Sequence, residues 1–73
     1  MIDKVNQFKN KIAKSIFQEP CTLLELRERE ILKSHSHFAI DKQLSILEAE
    51  EALYFKGKQM LIRVTWAKEN LKK

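Results

Sequence analysis

The chain has 73 residues, a net charge of +4, 44% hydrophobic and 33% charged residues, and one each of Gly, Pro, Cys and Trp. That length allows one domain, and the composition is that of a folded chain rather than a disordered one. The scarcity of Gly and Pro argues against sheets joined by tight turns and for helices, and a lone Cys21 excludes an internal disulfide framework while suiting a reducing compartment.

In chain order, Ile2, Val5, Phe8, Ile12 and Ile16 recur at steps of three and four. They predict an amphipathic helix over about 2–18 with a solvated Lys/Asn/Gln face. Glu19-Pro20 ends it, because proline fixes its own φ and pushes the preceding residue out of the α region. Thr22 and Glu25 have the spacing of a capping box, with Cys21 and Leu26 at the flanking apolar positions, so a second helix is expected from Thr22. Leu24, Ile31, Leu32, His35 and Phe38 share its apolar face at 100° per residue. Beyond Phe38 the apolar stripe shifts by roughly 80°, and Ser34-His35-Ser36-His37 are weak helix formers, so a bend is expected near 35–40. Apolar pairs then recur every seven residues: Ala39/Ile40, Ile46/Leu47, Leu53/Tyr54 and Met60/Leu61. Their phase is kept across Gly57, and the expectation is one long helix over about 40–71. The predicted fold is therefore all-α. It is a single helical domain over 1–73, with helices at about 2–18, 22–37 and 40–71, the two shorter ones packed along the long C-terminal one.

Charge is segmented. Residues 1–18 carry four Lys and one Asp, for +3; residues 19–51 carry four basic and eight acidic residues, for −4; residues 52–73 carry six basic residues and Glu69, for +5. Such a basic–acidic–basic order suits pairing within the fold, between subunits or with an acidic partner. No apolar run approaches the roughly 18 residues of a membrane span, and no apolar h-region follows the N-terminal lysines, so a cytoplasmic protein with no membrane partner is expected.

Catalytic and metal motifs are weak. Ser34, His37 and Asp41 have helical spacing, but a Ser-His-Asp mechanism also needs an oxyanion hole and a pocket, and a polar bend with a His37–Asp41 ion pair is the better reading. Cys21, His35 and His37 are too few for zinc, and residues two apart on a helix diverge. No catalytic residue, metal, cofactor or small-molecule substrate is expected. Gly57-Lys58 lacks the remainder of a phosphate-binding loop.

Two binding readings remain. On one long helix, Phe55, Ile62 and Trp66, with Leu44 near the same line, form a second apolar stripe opposite Leu53/Met60/Val64. A helix apolar on two sides is sandwiched or carries an interface, so these residues are expected to bind a second copy or another protein as a non-enzymatic assembly or regulatory module. The alternative is a small nucleic-acid-binding regulator, with Lys56, Lys58, Arg63, Lys68, Lys72 and Lys73 on phosphates and Trp66 available for stacking.

Overall fold

The computed structural model describes residues 4–71, with side chains from Gln7 onward. Helix α1 spans Lys4–Gln18, strand β1 Cys21–Thr22, helix α2 Leu23–Arg27 and helix α3 His37–Ala49. Strands β2 (Leu53–Lys56) and β3 (Gln59–Ile62) form a hairpin, and helix α4 spans Val64–Asn70. The three strands make one antiparallel sheet in the order β1-β3-β2. The protein is mixed α/β, and its longest helices are the first and third, which overturns the all-α bundle along a long C-terminal helix.

Helix α1 is built as its stripe demands. Ile12, Ala13 and Ile16 are fully buried, with Phe8 packed at the edge of the core; Ile2 and the side chain of Val5 lie outside the described residues. After Pro20, the Thr22 hydroxyl accepts the Glu25 amide at 3.3 Å, and Glu25 Oε1 accepts the Thr22 amide at 3.0 Å. The capping box thus starts α2 where expected, with Cys21 and Leu26 both buried. The helix does not reach residue 37. It gives way at Glu28 to successive i→i+3 turns, in which Arg29 donates to Leu26, Leu32 to Arg29 and His35 to Leu32. These turns drop Leu32 into the core. The side chain of Ser36, accepting the Ala39 amide at 3.1 Å, then caps a new helix, so the expected bend is a full restart.

Helix α3 stops for a backbone reason. Glu51 takes the left-handed conformation (φ 63°). The Ala52 amide reaches back to the Leu47 carbonyl at 2.8 Å, and the Glu51 amide to the Glu48 carbonyl at 3.0 Å. This is a Schellman terminus, with glutamate where glycine is usual. The Ala52 carbonyl in turn accepts the Arg63 amide at 2.8 Å, closing the open end of the hairpin. At its other end Gly57-Lys58 is a two-residue turn between the paired Lys56 and Gln59. Gly57 has φ 66°, and among the described residues only it and Glu51 have positive φ. A positive φ at the first central residue alone defines a type II′ turn, which follows the twist of the flanking strands and favours glycine there. The expected helix over 40–71 is thus replaced by α3, a hairpin and α4. The seven-residue spacing of Leu53/Tyr54 and Met60/Leu61 reflects two strands crossing the same core, since Leu53, Met60 and Ile62 point inward and Tyr54 and Leu61 do not.

The core lies between the helices and the sheet. Ile12, Ile16, Leu26, Leu32, Ile40, Leu47 and Met60 are its largest fully buried side chains, each contributing about 1.5–3 kcal/mol of burial. Helix α1 packs on α3, β3 and α4, while α3 packs on β2. Among the described residues no helix is long and apolar enough to cross a membrane.

Candidate nucleic-acid interface

Helix α3 and the hairpin lie side by side on this core. On α3 the buried residues Ile40, Gln43, Leu44 and Leu47 define the inner face. At 100° per residue the opposite face is the line Phe38, Lys42, Ser45 and Ala49, and all four are exposed. Phe38, one residue into the helix, is 78% exposed, the highest value among the large exposed hydrophobic side chains. His37 lies exposed at the same end of the helix. Ser45 and Ala49, the last residue of α3, put small side chains on the C-terminal half of this face.

The hairpin carries its charge at the tip. Lys56 and Lys58 flank Gly57, and all three are exposed. A Cβ at residue 57 would meet open space, so the tip is unobstructed. Between α3 and the hairpin runs a shallow groove lined by Leu23, Asp41, Ser45, Glu48 and Phe55 among others. Asp41 does not meet His37. Its Oδ2 accepts Arg27 Nη2 at 2.7 Å, tying α3 to the end of α2. The charge of Asp41 is matched locally, which leaves Glu48 as the carboxylate on the groove without a counter-ion among the described residues.

The residues expected to form one apolar stripe are dispersed. Leu44 is 7% exposed on the inner face of α3 and Ile62 is 5% exposed on β3; both belong to the core. Trp66 is half-buried on α4, packed against that core. Phe55 alone stays on the surface, on β2, 50% exposed. It lies beside the half-buried Leu23 and the 71% exposed Leu24 at the start of α2. The apolar surface neighbours of Phe55 are therefore Leu23 and Leu24, not Ile62, Trp66 or Leu44.

The basic set is also divided. Lys56 and Lys58 sit together at the hairpin tip. Arg63, beyond the far end of β3, lies with its guanidinium 5.0 Å from the centre of the Tyr54 ring, a cation–π distance. Lys68 is exposed on α4; Lys72 and Lys73 lie outside the described residues. The exposed α3 face of His37, Phe38, Lys42 and Ser45 was not among the faces expected from the sequence. The signal was a second N-cap, Ser36, fourteen residues after the first at Thr22, followed by two β-prone runs around a glycine.

The catalytic and metal candidates do not converge. Ser34 and His37 are exposed without Asp41 as a partner. His35 is half-buried, its ring 4.5 Å from that of Phe8, and Cys21 is buried in the core. Burial raises the pKa of the Cys21 thiol; the charge of Arg29 pulls the other way, and those of Glu25 and Glu19 add to the rise. No cluster of three metal-ligating side chains occurs among the described residues. No protein-family model, curated protein or solved structure matches the chain.

Proposed function

We propose that the chain is a winged helix-turn-helix module that binds duplex DNA, with α3 in the major groove and the hairpin as a wing on the flanking backbone. The observation that carries this reading is the pairing of topology with surface chemistry. Helix, strand, helix, helix and hairpin follow in that order, with the sheet ordered β1-β3-β2; the outward face of α3 is exposed, and so is the Lys-Gly-Lys tip of the hairpin packed beside it. One topology serves many functions, and the surfaces those two elements present favour this one. A helix about 10–12 Å across matches a major groove about 12 Å wide. Recognition helices read bases from their N-terminal turns, where this one carries His37, Phe38 and Lys42. The α2–α3 connection is longer than the three or four residues of a minimal helix-turn-helix, and its additional residues deliver Leu32 to the core. A non-enzymatic, cytoplasmic regulator is the corresponding role.

The test is fluorescence anisotropy with a mixed-sequence 25-base-pair duplex at about 50 mM salt. Binding in or below the roughly 10⁻⁴–10⁻⁶ M range of non-specific contacts supports the reading. Its absence at 100 µM protein, on the order of the weak end of that range, sinks it.

A second reading is favoured by the Leu23/Leu24/Phe55 patch, which suits a protein partner, a second copy first of all, since helix-turn-helix proteins commonly bind two half-sites as dimers. Sedimentation equilibrium of the wild type and of Leu24→Ser/Phe55→Ser tests it. A wild-type monomer with the same mass as the variant removes the dimer.

A further inference from the structure

We infer that Phe38 is a sequence-reading residue, specific for thymine through the 5-methyl group; this rests on the DNA-binding reading above. Phe38 is 78% exposed on the outward line of α3, with Lys42 and Ser45 along the same face. Phe17 and Ile31, at 42% exposed, keep over half their surface covered by the fold, so Phe38 contributes little to folding where it stands. Its setting selects the partner. Lys42 on that face and Lys56 and Lys58 at the hairpin tip complement phosphate; on the groove between the two elements Asp41 is matched by Arg27, and Glu48 is the carboxylate they outnumber. In the major groove each base edge offers hydrogen-bond donors and acceptors, and one base offers an apolar group: the thymine methyl. A phenyl ring carried into that groove gains by covering the methyl and loses by lying against the polar edges of the other base pairs. His37 precedes it with donor and acceptor nitrogens, so the first turn of α3 combines one polar and one apolar reader.

Affinity selection from a random duplex pool, followed by replacement of each thymine in the selected site by deoxyuridine, tests the inference. For the wild type, uracil at one or two positions weakens binding about fourfold, the effect of one buried methyl group. In Phe38→Ala the same replacement has no effect, while its circular dichroism is unchanged because the side chain is exposed. The inference is overturned if no thymine replacement matters, if Phe38→Ala keeps the loss, or if Phe38→Ala instead changes the oligomeric mass, which would make the ring a protein contact. Binding that is indifferent to uracil removes the role of Phe38 and leaves the DNA reading standing; no binding to any duplex removes both.

Discussion

Replacing both tip lysines, Lys56→Gln with Lys58→Gln, is the most direct test of the proposal that the hairpin engages DNA. Each phosphate neutralised by a lysine contributes about −0.9 to the slope of log K against log[salt]. With Lys42, Lys56 and Lys58 each on one phosphate, the wild-type slope is about −2.7, and raising salt from about 50 to about 200 mM weakens binding about 40-fold. Without the tip lysines the slope is about −0.9, and the same step weakens binding only about 3.5-fold. Both side chains are exposed and the Lys56–Gln59 pairing is between backbones, so the fold is retained. Anisotropy titrations at four salt concentrations give the slopes. Lys68→Gln on α4 is the control and should leave the slope near the wild-type value. An unchanged slope in the double variant, or an equal change in the control, refutes the placement of the hairpin on the backbone.

Three further outcomes follow from the fold. Glu51→Gly relieves a β-carbon from the left-handed conformation and should stabilise the protein by about 1 kcal/mol, read as a rise in Tm of roughly 4–8 °C for a chain of this size; a lower Tm refutes the Schellman assignment. Leu47→Ala empties a fully buried site on α3 and should destabilise by about 2–5 kcal/mol in urea unfolding, so a loss below about 1 kcal/mol would mean that α3 is not held by this core. Cys21 should react with a thiol reagent at pH 8 far more slowly in the native protein than in denaturant. Its folded pKa is raised by burial, so the folded state holds the proton more tightly, and Cys21 favours the fold less as pH climbs through the thiol range. Native labelling as fast as denatured labelling would contradict its burial.

The sequence was readable where one local signal decided the structure. The stripe through Ile12 and Ile16 and the stop at Pro20 specify α1, and Thr22 with Glu25 specifies the start of α2. It misled where two periods fit the same residues. Leu53/Tyr54 and Met60/Leu61 satisfy a seven-residue repeat, but two four-residue strands around Gly57 place them as well, and tertiary pairing with Cys21–Thr22 decides for the sheet. Ser36 as a cap was hidden within a run read only as a weak helix. The expected interface followed from these errors: Leu44 and Ile62 read as surface on a helix that does not exist, and Lys56 and Lys58, read as part of a basic C-terminal helix, stand exposed at a hairpin tip instead.

Ala52, fully buried, holds Leu47 through its amide and Arg63 through its carbonyl. One residue thereby joins the end of α3 to both strands of the hairpin with no slack between them. Those two hydrogen bonds fix where the hairpin begins relative to the end of α3. On the DNA-binding proposal, a duplex that meets α3 and the hairpin together has to present groove and backbone at the spacing this junction sets, which would make distance a criterion beside chemistry.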